Sequence, residues 1–307
     1  MENNCQYEFE SALQEFGAFH HLCTPGEEQP VIFSTPQEYE FAMNLVAMCA
    51  YDCPDVRIIT FEWMSTHFHS IVAGRQEACR VFFSLLKKRL IRYFSSIGKV
   101  VDLSRFEPKY IPIPTLEALR NQIAYTNRNG YLACPDCTPF SYRYGANQYY
   151  YTPMMKEMSS GKFGKLTARQ KAAMMHTHSL DYPADWRMAG PFVHPSEYCD
   201  IELGERMFRD ANHYFNKLSK DVESYKDIAS AVGDRIYYTD DELNSILFKL
   251  CHEMFGDTKS WLLPKDNKIA LARKLHYEYN ADNKKIARLL RIPDSVINEI
   301  FPPRPKR

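Results

Sequence analysis

The order of strand and helix signals in residues 17–130 constrains the fold of this chain more than any other feature. A short β-prone run ends at Gly26, and helix-period apolar residues follow from Thr35. Two adjacent strand signals, VRIITFEWM and HFHSIVAG, then predict a hairpin. Next come a helix from Arg75 to about Phe94, an edge strand at PKYIPIP and a helix from Thr115. This order predicts an α+β domain with the split βαβ pattern of a ferredoxin-like fold and one added helix.

A change in the character of the sequence near residue 152 predicts the end of this domain. The segment YTPMMKEMSSGKFGKLTARQ reads as a linker, and the remainder has helical periodicity with few strand signals. We therefore predict an α+β domain at 1–152, a helical linker region at 153–234 and a helical region at 235–307.

Two histidines flank a phenylalanine in the hairpin. Residues two apart on a strand point to the same face, so the His67 and His69 rings can reach one ion. The alternative is a pair of buried histidines satisfied by backbone hydrogen bonds. The spacing alone is weak, because a second His-x-His at 176–178 follows a helical pattern that would splay its rings apart. A metal site needs a third ligand.

The helix that starts at Thr115 offers one. Tyr125 and Asn129 are four residues apart, so a phenol and an amide lie on one helix face, one turn from each other. If this helix packs beside the central strands, it places an oxygen ligand, Asn129, and a nucleophile, Tyr125, next to the two histidines. Two imidazoles and one amide leave positions open for phosphate and water, as a catalytic Mg²⁺ or Mn²⁺ requires. The alternative for Tyr125 is a packing residue with a tethered hydroxyl.

Four sequence blocks, in this order, resemble the HUH transposases that use one tyrosine, especially the REP-associated tyrosine transposases of bacteria. FHHLCTPGEEQPVIF resembles their opening strand and loop, and MSTHFHSIV their Met/Leu-Pro-x-His-x-His segment. IAYTNRNG is similar to their Tyr-x-x-x-Asn-Pro helix, and PFSYRYG to their Pro-Trp-Ser-Ser-Tyr block. The resemblance covers most of the first 150 residues. Ser65 and Gly130 depart from it, since the family has proline at both places.

The resemblance implies an HUH nuclease domain and a metal-dependent single-stranded DNA endonuclease and strand transferase, that is, a transposase. It implies that His67, His69 and Asn129 bind Mg²⁺ or Mn²⁺. It also implies that Tyr125 attacks the scissile phosphate and leaves a 5′-phosphotyrosine and a free 3′-OH. The implied partners are single-stranded DNA with a neighbouring hairpin and, as is usual in the family, a second copy of the chain.

Two other functions compete with this one. A catalytically silent, domesticated regulator would keep the fold and bind DNA hairpins without cutting them. A metal-dependent phosphodiesterase that uses water would keep His67 and His69 but would not require Tyr125.

Basic side chains cluster in two parts of a chain in which 38 Lys and Arg balance 38 Asp and Glu. The helix from Arg75 is basic on one side and suits a DNA backbone. The segment YNADNKKIARLLRIPDSVINEIF predicts helices at 283–290 and 294–301 with helix-turn-helix spacing, which some REP-associated transposases carry. Duplex DNA is thus a candidate partner, and a helical tail packed on its neighbours is the alternative. The candidate DNA contacts are Arg80, Lys87, Lys88, Arg128, Lys284, Lys285 and Arg288.

The remaining sequence features concern location and thiols. No apolar run approaches the roughly 18 residues of a spanning helix, and the acidic N-terminus lacks a signal-peptide layout, so we expect a cytoplasmic protein without a membrane partner. Nine cysteines, an odd number, favour reduced thiols over disulfides. Cys134 and Cys137 form a CPDC segment with no second close pair, which favours loop thiols over a zinc site.

Overall fold

The computed structural model describes residues 2–26, 29–133, 141–177, 180–220, 228–229, 231–232, 234, 238, 240–256 and 259–302. The chain forms two compact units, Met1–Asp234 and Arg235–Arg307. The second unit begins where the sequence predicts its third region. The region predicted as a linker, 153–234, lies in the same unit as the first 152 residues.

Unit 1 combines a central sheet with surrounding helices. Its elements in chain order are α1 (Glu2–Phe16), β1 (Phe19–Cys23), α2 (Pro36–Asp52), β2 (Arg57–Trp63), β3 (Phe68–Ala73), α3 (Gln76–Ser96), β4 (Lys109–Ile113), α4 (Leu116–Ala133), α5 (Pro153–Glu157), β5 (Gly161–Lys162), α6 (Ala168–Met175), β6 (Arg187–Ala189), β7 (Phe192–Val193), α7 (Ile201–Arg206) and α8 (Ala211–Lys220). Short 3₁₀ turns lie at Asn147–Tyr149, Phe163–Lys165 and Pro195–Glu197.

The central sheet has the strand order β2-β3-β1-β4, and each neighbouring pair is antiparallel. β2 and β3 form the predicted hairpin. Since β3 lies between β1 and β2 and is antiparallel to both, β1 and β2 run parallel to each other. In the pairing of β1 with β3, His21 lies opposite Ile71 and Cys23 lies opposite His69. The prediction of a mixed α+β chain is confirmed.

One face of this sheet is apolar and is covered by α2. Trp63 donates its indole N–H to the carbonyl of Ala42 in α2, at 3.0 Å. The Trp63 ring lies 4.3 Å from Phe68, measured between centroids, and both side chains are fully buried. The α2 helix begins where the sequence predicts, since Thr35 and Glu38 form a capping box. We call this side of the sheet the apolar face.

The opposite face is polar and is covered by α4. The hydroxyl of Thr115 accepts from the backbone N–H of Ala118 in the first turn of α4, and three apolar side chains of the helix are buried: Leu116, Leu119 and Ile123. Along its length α4 meets polar strand residues, because Thr60 donates to Asn127, and Glu62 accepts from the backbone N–H of Gly130 at 2.5 Å. We call this side the polar face.

The region 153–234 differs from the predicted helical linker. It contains a second sheet, in the order β5-β6-β7. Asn44 of α2 holds this region, because its side chain donates to the Pro191 carbonyl at 3.2 Å and accepts from the Val193 N–H at 2.9 Å. These strands have only two or three residues, too few to show an alternating pattern in the sequence.

Unit 2 is helical among its described residues. Its elements are α9 (Asp240–Phe255), a 3₁₀ turn at Ser260–Leu262, α10 (Lys265–Tyr277), α11 (Asn283–Leu290) and α12 (Asp294–Ile300). The last two confirm the predicted helix pair to within one residue. Asp282 caps α11 by accepting from the Lys285 N–H at 2.9 Å, and Arg291 ends the helix in a left-handed conformation.

No described helix is both long enough and apolar enough to cross a membrane. The described cysteines are free and buried, which agrees with the expectation of reduced thiols; Cys134 and Cys137 lie outside the described residues.

Candidate metal centre and active site

The two histidines of the hairpin lie together on the polar face. His69 belongs to β3, and His67 immediately precedes the strand. Their ring centroids are 4.8 Å apart. The Thr66 hydroxyl lies 2.8 Å from His67 Nδ1, and His21 Nε2 lies 2.9 Å from His69 Nδ1. The Nδ1 atoms are therefore engaged with the protein, which leaves both Nε2 atoms to face a common point.

Asp234 occupies that point. One carboxylate oxygen, Oδ1, lies 3.3 Å from His67 Nε2, and the other, Oδ2, lies 2.7 Å from His69 Nε2. Burial by itself raises the pKa of Asp234, but positive charge on the imidazoles of His67 and His69 lowers it well below its ordinary value of 3.8. A cation thus stabilises this buried carboxylate, whether it is a proton on an imidazole or a metal ion.

Unpaired atoms at this position support a metal ion. Within the described part of the chain, His69 Nε2 and Asp234 Oδ1 are buried without a hydrogen-bond partner. The contacts of His67 and His69 with Asp234, at 3.3 Å and 2.7 Å, are those of an ion pair between buried groups. Buried polar atoms are rarely left unpaired. His67, His69 and Asp234 each offer one ligand atom, all within 4.8 Å of one another, and we call these three residues the carboxylate cluster.

Tyr125 lies beside the carboxylate cluster. Its hydroxyl donates to Asp234 Oδ2 at 3.0 Å, and its ring lies 5.7 Å from that of His69. Burial, with the Asp234 charge, raises the pKa of Tyr125 well above its ordinary value of 10.0, while a hydrogen bond from Asn129 acts to lower it. Tyr125 is only 1% exposed. The structure therefore brings together the predicted nucleophile, both predicted histidines and a carboxylate.

Asn129 is placed with Tyr125, as the four-residue spacing predicts. It is buried, and its side chain hydrogen-bonds the Tyr125 hydroxyl. At the next residue, the backbone N–H of Gly130 donates a hydrogen bond to the Glu62 carboxylate. This contact anchors α4 directly after Asn129. The assignment of Asn129 as a metal ligand stays a prediction.

The loop after β1 closes tightly over the carboxylate cluster. A Cβ added to Gly26 would lie 2.5 Å from His67 Nδ1 and 2.7 Å from Asp234 Oδ1. Such contacts are too short for any side chain. Glycine at this position therefore lets the backbone approach the site.

A second group of possible ligands lies deeper on the polar face. His21, Cys23 and His69 also bring one ligand atom each within 4.8 Å of one another. However, His21 Nε2 and His69 Nδ1 are already hydrogen-bonded to each other at 2.9 Å. Burial also raises the pKa of the Cys23 thiol, which disfavours the thiolate that a metal needs. The carboxylate cluster is the better candidate.

The predicted DNA contacts of unit 1 fall into two groups. Arg80 and Lys88 are exposed on α3, and Lys87 pairs with Glu107 at 2.5 Å. These residues line a groove of about 820 Å³ between α3 and β4, where the Arg80 guanidinium lies 5.9 Å from the centre of the Tyr110 ring. The structure contradicts the prediction that Arg128 contacts DNA. This residue is 2% exposed and donates to the Leu218 carbonyl of α8, so it cannot reach a DNA backbone.

The predicted DNA contacts of unit 2 lie on α11. Lys284 and Arg288 are exposed, and Lys285 is half-buried and donates to the Tyr238 carbonyl at 3.0 Å. The helix therefore presents part of its basic side, and contact with duplex DNA stays a prediction.

Sequence reasoning missed two participants, Asp234 and His21. Asp234 lies far from the histidines in the chain, in a segment without a periodic pattern, and is one of 38 acidic residues. His21 could have been found, because the predicted split βαβ pattern places β1 beside β3 with His21 on the face of His69.

Comparisons of the chain with models of protein families, with curated proteins and with solved structures found no match.

Proposed function

We propose that this protein is a metal-dependent single-stranded DNA endonuclease and strand transferase, a transposase that acts at hairpin-associated sites. The observation that carries the proposal is the convergence of a tyrosine with the carboxylate cluster. The Tyr125 hydroxyl and His69 Nε2 contact the same oxygen of Asp234, at 3.0 Å and 2.7 Å. A nucleophile and two imidazole nitrogens thus meet within one site.

The strand order supports the finer assignment of the fold. The order β2-β3-β1-β4, with β1 parallel to β2, is that of a split βαβ domain. We propose that unit 1 is an HUH nuclease domain of the ferredoxin-like kind, with α4 added on the polar face.

His67, His69 and Asp234 would hold the metal, with Asn129 as the further predicted ligand. Mg²⁺ and Mn²⁺ are the candidates, since hard oxygen ligands and imidazole suit them. Such an ion would polarise the phosphodiester and stabilise negative charge on the leaving oxygen.

The chain's own residues orient the nucleophile. Asp234 Oδ2 accepts the Tyr125 hydroxyl hydrogen, and Asn129 donates to the phenol oxygen. In the reaction, the Tyr125 oxygen bonds to phosphorus and the bond from phosphorus to the 3′ oxygen breaks. The proton lost by tyrosine is balanced by the proton that the 3′ oxygen gains. The products are a 5′-phosphotyrosine and a free 3′-OH, and the reverse step joins a new strand without ATP.

Burial of the tyrosine favours a second candidate. Because Tyr125 is 1% exposed, DNA reaches it only if the chain that covers it moves. A protein in which this movement does not occur would be a catalytically silent regulator that binds DNA hairpins.

Partners follow from the proposal. Single-stranded DNA would track the groove that Arg80 and Lys88 line, and duplex DNA would contact α11 of unit 2. We also propose that the protein forms a homodimer, which sedimentation equilibrium would measure.

A covalent-adduct assay tests the function. The protein is incubated with Mn²⁺ and 3′-labelled single-stranded oligonucleotides that carry a hairpin with randomised flanks, since the labelled fragment stays on the tyrosine. Tyr125→Phe is compared with Tyr150→Phe, which removes the hydroxyl of another fully buried tyrosine, one that donates to the Ile59 carbonyl.

We expect an adduct with the wild type and with Tyr150→Phe, and none with Tyr125→Phe. Cleavage that survives in Tyr125→Phe would contradict the proposal in favour of hydrolysis by water. Binding without any cleavage would favour the silent regulator.

A further inference from the structure

A chain of three polar side chains runs beneath the carboxylate cluster. His69 Nδ1 lies 2.9 Å from His21 Nε2, and His21 Nδ1 lies 2.6 Å from the side-chain oxygen of Gln122. The three residues come from β3, β1 and α4, and all are buried. We call this chain the imidazole relay.

The chemistry of Gln122 sets the direction of the relay. An amide oxygen only accepts, so the His21 Nδ1 must carry the hydrogen. Neither hydrogen-bond partner of His21 is an anion, and burying a positive charge without an anion beside it is costly, so a neutral ring is favoured. A neutral ring with its hydrogen on Nδ1 has a lone pair on Nε2. That lone pair accepts from His69, which places the His69 hydrogen on Nδ1.

The position of Asp234 agrees with this direction once a metal ion is bound. With its hydrogen on Nδ1, His69 presents a lone pair at Nε2, the ring atom that lies 2.7 Å from Asp234 Oδ2, so one ion could bind both atoms. The Thr66 hydroxyl lies 2.8 Å from Nδ1 of His67 and can accept a hydrogen from it. Metal-binding histidines commonly donate their other ring N–H to a protein acceptor, which fixes the ring and its tautomer.

We propose that His21 and Gln122 are positioning residues, which hold His69 in the tautomer whose Nε2 lone pair faces the metal. The inference rests on the proposed function in taking His69 as a metal ligand. It adds to the candidate site two residues that do not touch the ion. It also predicts that the side-chain oxygen of Gln122 controls metal affinity through His21 and His69.

Two measurements without DNA test the relay. Nitrogen-15 NMR of the histidine rings in the wild type saturated with diamagnetic Mg²⁺, at pH 8, reports which nitrogen of His69 carries the hydrogen. Titration with Mn²⁺ alone, followed by electron paramagnetic resonance, gives the affinity of the wild type, Gln122→Leu and Gln122→Glu. Asn121→Leu is the matched control, because it changes the neighbouring amide of α4, which accepts from Lys217.

We expect the His69 hydrogen on Nδ1 in the wild type. Gln122→Leu should weaken Mn²⁺ binding about 10-fold or more, the usual effect of removing an outer-shell partner. Gln122→Glu keeps an acceptor for His21 and should retain the affinity, as should Asn121→Leu. Thermal unfolding monitored by circular dichroism shows whether each variant is folded.

A His69 hydrogen on Nε2 in the wild type would overturn the relay, and this result does not depend on any variant folding. Equal Mn²⁺ affinity for Gln122→Leu and Asn121→Leu would also overturn it. A wild type that binds Mn²⁺ with the expected tautomer but does not cut DNA would refute the proposed function and leave the relay standing. A wild type that binds no Mn²⁺ would refute both.

Discussion

The two faces of the central sheet are stabilised in different ways. On the apolar face, buried side chains such as Phe61, Trp63 and Phe68 contribute through removal of apolar surface from water. On the polar face, equally buried residues such as His21 and His69 depend on hydrogen bonds, because an unpaired polar group in the interior is costly. The same strands supply both faces by simple alternation.

This difference suggests that the apolar face mainly stabilises the fold and that the polar face mainly carries the candidate site. His69 Nε2 and Asp234 Oδ1 lie on the polar face next to Tyr125, and together with His67 they offer ligand atoms within 4.8 Å of one another. Perturbed titratable groups of this kind concentrate at functional sites. Substitutions on the apolar face should therefore change stability, and those on the polar face should change metal binding.

Truncation on the apolar face should give the largest loss of stability. Phe68 is fully buried, so Phe68→Ala should lower the free energy of unfolding by about 3–5 kcal/mol. Urea unfolding measures this loss. Val100→Ala, at a residue that is 99% exposed, should stay within about 0.5 kcal/mol of the wild type. A loss below about 1 kcal/mol for Phe68→Ala would break the comparison.

Removal of a proposed ligand from the polar face should weaken metal binding strongly, with less effect on folding. His69→Ala should weaken Mn²⁺ binding by more than about 100-fold, beyond the range of outer-shell substitutions. His20→Ala is the matched control, because His20 is buried on β1 but alternates to the other face from His21. Calorimetric titration with Mn²⁺ compares them. Similar Mn²⁺ affinities for His69→Ala and His20→Ala would show that the two faces do not differ in metal binding.

The polar face should also make stability depend on pH through Glu62. Burial raises the pKa of Glu62 well above its ordinary value of 4.5, against the hydrogen bond from Gly130. The folded state then keeps a proton that the unfolded state loses. Stability from this group is full below pH 4.5 and falls by about 1.4 kcal/mol per pH unit as pH rises toward the folded pKa.

Glu62→Gln, which keeps an acceptor for Gly130, should remove this dependence. We expect the variant to match the wild type near pH 4 and to be increasingly more stable than it at higher pH. Urea unfolding at several pH values between 4 and 8 checks the expectation. Parallel pH profiles for the two proteins would contradict it.

The smallest expected effect concerns the outer side of α3. Lys88→Ala should leave stability unchanged and weaken binding of single-stranded DNA, with a salt dependence of log affinity that is shallower by about 0.7. Lys162→Ala, which removes an exposed lysine of β5 outside the groove, is the control. Fluorescence anisotropy at several salt concentrations measures both. An equal effect of the two variants would place the DNA contact outside the groove.

Local patterns in the sequence predicted much of the fold. The strand hairpin and the helix pair of unit 2 appear within a residue or two of their predicted positions, because alternation, helical period and turn residues are local signals. The same local signals placed Tyr125 and Asn129 on one turn of α4. They did not reveal β5, β6 and β7, which are too short to show a period.

Long-range contacts were harder to predict. The carboxylate of Asp234 reaches His69 only through the tertiary fold, and no pattern around Asp234 marks it. Arg128 was misplaced for a related reason. The sequence shows only that Arg128 is basic, whereas the packing of α8 on α4 buries its guanidinium. The tertiary fold of the whole unit decides which side of a helix is covered by a neighbouring helix.

Anomalous diffraction from crystals soaked in Mn²⁺ tests the central claim most directly, namely that the polar face holds a divalent ion beside Tyr125. We predict a manganese peak bonded to Nε2 of His67 and of His69 and to the carboxylate of Asp234. No peak at this position, or a peak at His21 and Cys23 instead, would contradict the account.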